Sequence, residues 1–227
     1  KSNVLEIRES RLLTTQRLVA ALSEAGERPD LFISASAIGI YSQNGIHNET
    51  SRELDQGFLG GLCNEWENQA LMASSFINTY IVRLGIVLGN HGGALPKMVL
   101  PFRFGVGGKI GSGTQYISWI HIDDLCKALL FILKNKPAQR LFNLTAPNPA
   151  TNACFTKSIA SILSKPALFT VPPFALKLLY GQSASLLTGS QNVLPQNLID
   201  AGFTFNFREI DQALIDLLLP AKHQENN

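Results

Sequence analysis

The sequence predicts an α/β protein built on a doubly wound parallel sheet, followed by a smaller, mostly helical C-terminal lobe. Two observations predict it. Short, wholly apolar runs end in small residues, as the buried strands of parallel sheets do. Between these runs lie segments whose apolar residues recur at helical spacing, so strands and helices alternate along the chain.

Residues 4–24 carry Leu5, Leu12, Val19 and Leu22 on one helical stripe among Arg, Glu and Gln; Gly26 and Pro29 end that helix. Leu31-Phe32-Ile33-Ser34 reads as a buried strand, and a polar loop runs from Tyr41 to Gly57. A helix over 58–76 turns Leu59, Leu62, Trp66, Ala70 and Ala73 inward. Tyr80–Leu84 is the second strand, and it enters a turn from Gly85 to Gly93. A short helix over 97–104 leads to Gly105-Val106-Gly107-Gly108. Trp119–Ile122 is strand-like, and Asp123 caps a helix to Leu133 that buries Leu125, Leu129 and Ile132. Leu141–Leu144 is one more strand.

From Pro147 onward strands become scarce. Thr151 caps a helix to Ser164; Val171-Pro172-Pro173 starts another to Tyr180; two more span 195–201 and 209–218. The organisation is thus a sheet-bearing part over 1–146, a helical lobe over 147–220 and a frayed polar tail over 221–227.

Composition narrows the function classes. The chain is 45% hydrophobic and 16% charged, enough apolar residues for a buried core. A net charge of +2 gives no reason to expect a nucleic-acid partner. No apolar run is long enough to cross a bilayer, and the charged opening Lys-Ser-Asn-Val-Leu-Glu does not read as a secretion signal. Cys63, Cys126 and Cys154 are far apart and match no metal-ligand spacing, which points to reduced thiols in a cytoplasmic protein and against a zinc site. Oligomeric state is not legible from these residues.

Three places could carry chemistry. Ser34, Ser36 and Tyr41 lie where the first strand ends, and ligands of doubly wound sheets bind at the carboxyl ends of strands. Their hydroxyls can donate to a substrate carbonyl or hydroxyl; equally, small residues allow a tight exit turn and Tyr41 packs. His121 beside Asp123 and Asp124 suggests acid–base work, but a helix cap and a hydrogen-bonded structural histidine explain the same residues better. Gly105–Gly113 is Gly-rich and contains Lys109, yet lacks the Gly-Lys-Ser/Thr of a phosphate loop, so it reads as a turn or hairpin near the substrate. Arg83, on its strand, is placed to partner a substrate or phosphate group, but most such arginines serve a structural ion pair.

Ser-Ala-Ser-Ala-Ile-Gly-Ile-Tyr (34–41), Leu-Cys-Asn-Glu-Trp-Glu (62–67), Arg-Leu-Gly-Ile-Val-Leu-Gly (83–89), Gly-Gly-Ala-Leu-Pro-Lys-Met (92–98) and Trp-Ile-His-Ile-Asp-Asp-Leu (119–125) occur in that order. Ala-Pro-Asn-Pro-Ala-Thr-Asn (146–152) and Val-Leu-Pro-Gln-Asn-Leu-Ile-Asp-Ala-Gly-Phe (193–203) follow. Each motif is weak, but the ordered set resembles the epimerase-like atypical short-chain dehydrogenases/reductases over essentially the whole chain. Residues 147–218 resemble that family's C-terminal domain, whose role is not established.

The resemblance implies a Rossmann-type sheet, an NADP(H) cofactor in preference to NAD(H), and a small carbonyl or sugar-like substrate. It implies that the chain lacks the Gly-rich phosphate turn and the first βα units, so that it is a fragment, with a partial sheet expected to aggregate in isolation. By the same resemblance Ser36 occupies the substrate-polarising position and Tyr41 is the companion candidate. Arg11 and Glu6 line the cofactor crevice, and Val87 lies beside the nicotinamide through its backbone. Read without the resemblance, Arg11 and Glu6 are ordinary solvated helix charges. The usual Tyr-x-x-x-Lys becomes Cys63-x-x-x-Glu67, and a glutamate raises a neighbouring acid's pKa where a lysine lowers it. Two readings therefore stand: an NAD(P)-dependent epimerase or reductase, or a nucleotide-sensing protein without turnover.

Overall fold

The computed structural model describes residues 2–172 and 189–219. The helix expected over 173–180 and the tail over 221–227 lie outside the described residues.

The first element is helix α1 (Ser2–Glu24), which packs along α2 (Phe58–Leu71). Val19 and Thr15 are buried, and Thr15 Oγ1 accepts a 2.9 Å hydrogen bond from the Trp66 indole, fixing the two helices side by side. The expected stripe holds at Val19 and fails at Leu5, which is 59% exposed; Ile7, Leu13 and Leu18 are exposed with it. The N-terminal half of α1 therefore offers solvent an apolar face. Gly57 has no side chain with which to cap α2. The Asp55 carboxylate does so from two residues upstream, accepting from the N–H groups of Gly57 and Gly60 at 3.1 and 3.0 Å. The approach is so close that a Cβ on Gly60 would sit 1.9 Å from the Asp55 carbonyl oxygen.

Strands β1 (Leu31–Ala37), β2 (Asn78–Leu84) and β7 (Leu141–Leu144) form a parallel sheet in the order β1-β2-β7. Leu31 to Ala37 pair with Asn78 to Leu84 in unbroken register, so Ser36 lies beside Arg83, which in turn lies beside Asn143. At Gly85 the chain leaves this sheet. Its N–H donates to Leu144, and β3 (Ile86–Leu88) then pairs in parallel with β6 (Trp119–His121). Two other small pairs follow. β4 (Gly108–Ile110) runs parallel to β9 (Phe169–Val171), and β5 (Tyr116–Ile117) runs antiparallel to β8 (Ala150–Thr151).

Helix α3 (Leu95–Arg103) buries Leu95, Val99 and Phe102. Helix α4 (Ile122–Asn135) corrects one expectation. Its N-cap is His121, whose Nδ1 accepts from the Asp123 N–H at 3.1 Å; Asp123 is already inside the first turn. Within that turn Asp123 is exposed and complements the helix dipole, while Asp124 is fully buried. Leu125 and Leu129 are half-buried beneath Ala128 and Ile132, the fully enclosed positions. Thr151 caps α5 (Asn152–Ile162) as expected, accepting from Cys154 N–H.

The C-terminal elements are α6 (Gln196–Asp200) and α7 (Ile210–Leu218). They are welded onto the sheet-bearing part. One core joins Leu88, Leu95, Phe102 and Trp119 to Phe155, Ile159, Ile210 and Leu214, so residues on either side of position 147 share it. A second joins Tyr80, Val82, Ile120 and Phe142 to Leu198 and Phe205. The buried Asp124 carboxylate adds polar pins, accepting from the N–H groups of Asn206 and Phe207 at 2.9 Å each. His121 adds another: its ring stacks on Phe207 at 3.8 Å, and Nε2 lies 3.2 Å from Asp216.

Candidate active site

The carboxyl ends of β1 and β2 carry a continuous buried polar network. The Arg83 guanidinium grips the Glu67 carboxylate with two bonds of 2.8 Å, Nε to Oε1 and Nη2 to Oε2. Ser36 donates to Glu67 Oε1 at 2.6 Å. On its other side Arg83 Nη1 donates 2.7 Å to the Tyr41 hydroxyl, which donates onward to Asn143 Oδ1 at 2.9 Å. Both ends of the ion pair are shielded, with side chains 9% exposed. Tyr41 is sandwiched: the Arg83 guanidinium lies 4.9 Å from its ring centroid, and the His47 ring stacks on it at 5.3 Å.

The local sequence explains the assembly. Ser36 is buried on β1, where alternate side chains face α2. Cys63 and Glu67 are one helical turn apart on α2 and share the face that meets β1. Arg83 comes from the register partner of Ser36. The short 3-10 turn over Ile38–Ile40 then bends the chain so that Tyr41 falls over Arg83.

The electrostatics follow from burial. Desolvation disfavours the Arg83 cation, but Glu67 and Tyr41 more than offset it and raise its pKa, so the residue is charged throughout the physiological range. Burial likewise pushes the Tyr41 phenol up, and the adjacent Arg83 only partly reverses this. The Cys63 thiol is raised by burial, with the Glu67 charge adding to it and contacts from Ala37 and Ser36 opposing, so Cys63 stands as a neutral thiol. Glu49 sits beneath the network. Burial raises its pKa, Oε1 accepts from Asn143 N–H at 2.8 Å, and Oε2 has no partner among the described residues.

The structure brings Ser36 and Tyr41 into one network, bridged by Glu67 and Arg83. It does not bring Glu6, Arg11 or Val87 into it. Glu6 and Arg11 are exposed on α1, and Arg11 donates 2.9 Å to the Ser10 hydroxyl, with no carboxylate partner among the described residues. Val87 is half-buried on β3 opposite Ile120. Arg83 is the structural ion pair that its strand position suggested. Asn143, Glu49 and His47 were not visible as site residues; their only signal in the sequence is polarity beside apolar runs. His121 takes its place as a helix cap and a docking contact, outside the network.

Among the described residues no group of three or more His, Cys, Asp or Glu is placed to hold a metal ion, and no helix is long and apolar enough to cross a membrane.

Comparison with known proteins places this architecture. Residues 2–145 match the model of the NAD dependent epimerase/dehydratase family. The chain belongs to that family. Residues 171–217 match a domain of unknown function, DUF1731. An Arabidopsis thaliana protein named as a chloroplastic homolog of the epimerase family protein SDR39U1 is 38% identical over 213 residues, 92% of this chain and 61% of the relative. An epimerase family protein of Staphylococcus haemolyticus is 37% identical over 215 residues, 93% of this chain and 72% of the relative. The chain thus spans about three-fifths of the plant relative's length. The crystal structure of human epimerase family protein SDR39U1 (isoform2) with NADPH superposes with a TM-score of 0.88 at 32% identity, covering 96% of this chain and 75% of that one. The sheet is accordingly Rossmann-like, as membership of the NAD dependent epimerase/dehydratase family implies.

Proposed function

We propose that this epimerase-family chain binds NADP(H) in preference to NAD(H) and acts on a small carbonyl or sugar-like substrate at the carboxyl ends of β1 and β2. The observation that carries the reading is the Ser36–Glu67–Arg83–Tyr41 network, held at the edge where such sheets bind ligands. NADPH in the human relative's crystal structure supports the choice of cofactor. Arg11 suits a phosphate group, because only one donor of its guanidinium is engaged, by Ser10. Glu6 lies one and a half turns away on the same helix, and Val87 offers its backbone to the nicotinamide end. Held there, a nicotinamide would supply hydride exchange.

The chain's own residues bind and orient. Ser36 donates a hydrogen bond to a buried carboxylate, which makes its oxygen a stronger acceptor for a substrate hydroxyl; rotated about χ1, it can donate to a carbonyl instead. Tyr41 uses its hydroxyl proton on Asn143 and its ring on Arg83, so it holds the guanidinium in place. Glu67, where the wider reductase group carries a lysine, is neutralised by Arg83, and its charge reaches Cys63 only in part. Three unpaired cysteines support a reducing, cytoplasmic setting. The division at 146/147 remains our proposed boundary between the cofactor-binding part and the helical lobe.

The test is a fluorescence titration with NADPH and NADH side by side, repeated on Arg11→Ala and Ser36→Ala. Tighter NADPH binding, weakened by Arg11→Ala and untouched by Ser36→Ala, is expected. Equal affinity for both cofactors, or no binding by a folded chain, defeats the reading.

A further inference from the structure

Next to the network a cleft of about 630 Å³ opens between three segments, the loop 43–46, the turn 110–116 and residues 190 and 192. That is the size of a small-molecule site. The described residues lining it include amides and hydroxyls but no charged side chain. The side-chain amides of Gln43, Asn44 and Asn192 make no hydrogen bond to a described residue, although the Asn44 and Asn192 backbone carbonyls are engaged. Gln115 by contrast spends its amide on the Ile110 carbonyl at 3.0 Å, which fixes the turn. Apolar surface completes the wall: Tyr116 is 38% exposed and Ile46 is 67% exposed.

This lining selects a ligand chemistry. A primary amide both donates and accepts, as does a hydroxyl, so three amides without a partner among the described residues match a ring of hydroxyl groups. A phosphate only accepts and is bound where cations or charge-assisted donors converge. The C–H face of a pyranose packs on the face of an aromatic ring, and Tyr116, 38% exposed, stands in this wall. The cleft is also coupled to the candidate active site. Gln191, between the lining residues 190 and 192, donates its side-chain amide to the Tyr41 carbonyl at 3.3 Å and its N–H to the Tyr116 carbonyl at 3.0 Å.

We propose that this cleft binds a neutral polyhydroxylated ring, a free sugar or simple glycoside, and not a nucleoside diphosphate. The inference rests on the proposed function only in taking the bound ring as the substrate.

The experiment is saturation-transfer NMR on the chain with methyl glucoside, methyl galactoside, N-acetylglucosamine and inositol, against UDP and UDP-glucose, each with and without NADPH. At least one neutral ring is expected to bind with a Kd in the millimolar range. Asn44→Ala and Asn192→Ala should each weaken it about fivefold, the worth of one neutral hydrogen bond. Both residues border solvent, so the fold tolerates the change. Binding of UDP or UDP-glucose that the same variants abolish overturns the proposal, as does NADPH binding with no neutral ring bound. A neutral ring bound by a chain that ignores NADPH upholds the cleft and defeats the cofactor reading instead.

Discussion

Two glutamates two residues apart on α2 face opposite worlds. Glu65 meets Arg8 of α1 at the surface, in a pair whose side chains are 47% and 46% exposed; Glu67 meets Arg83 in the interior, where each is 9% exposed. The residue types are the same and the consequences differ. At the surface, water and salt screen the attraction, and two long side chains lose freedom to make it. In the interior the charges have been stripped of water. Each then needs the other, together with Ser36 and Tyr41, to recover what was lost. A charge pair therefore reports a site only through its burial and its further partners.

The largest break in this comparison is Arg83→Met, which leaves the buried Glu67 without its counter-ion, with only Ser36 still donating to it. A loss of about 3–5 kcal/mol in urea unfolding is expected, with Arg83→Met/Glu67→Met restoring much of it. If the single variant unfolds at the parental midpoint, the pair is not holding the strand ends. Next is Asp124→Asn, a buried carboxylate with backbone partners in place of a cation. It should cost about 2 kcal/mol and speed amide exchange at Asn206 and Phe207 selectively; uniform exchange would mean that the C-terminal segment is held elsewhere.

Glu49 sharpens the contrast by its pH dependence. Its folded pKa is raised, so its contribution to stability is full below the unfolded value of 4.5 and is lost as pH climbs through the raised one. Glu49→Gln keeps an oxygen for the Asn143 N–H and removes the charge. The variant should gain on the parent as pH rises from 4.5 toward neutrality; a constant difference across that range would show that Glu49 does not titrate there. The smallest effect belongs to Arg8→Ala, within about 0.5 kcal/mol at low salt and vanishing at high salt. A larger, salt-insensitive loss would place that pair inside a structure that hides it.

Local signals were legible where one stretch of chain was enough. Leu31–Ser34 and Tyr80–Leu84 announce buried parallel strands, and the Ser36 and Cys63-x-x-x-Glu67 positions follow from the family resemblance of the motifs that hold them. The α4 cap was misplaced by two residues, since aspartate is the commoner cap and a histidine acting through Nδ1 gives no pattern in the sequence. The partners of Tyr41 were invisible for a different reason. Arg83 and Asn143 reach it across 42 and 102 positions, and only the strand register brings them there. The cleft was less legible still, because uncharged polar residues from three distant loops carry no motif. Leu5 was misjudged because an apolar stripe tells which face is apolar, not whether anything in the chain covers it.

Gly85 is where the chain passes from one sheet to the other. A single added methyl there would lie 2.8 Å from both the Ser118 carbonyl oxygen and a Thr145 methyl group. Nineteen of the twenty amino acids begin with that carbon, so the crossing has one spelling. Drift can rewrite the strands on either side, trading Val for Ile or Leu, but the junction that aligns β2 with β3 is closed to it. Among variants of this chain, the position most constrained between two mutable strands is thus one that carries no functional group at all.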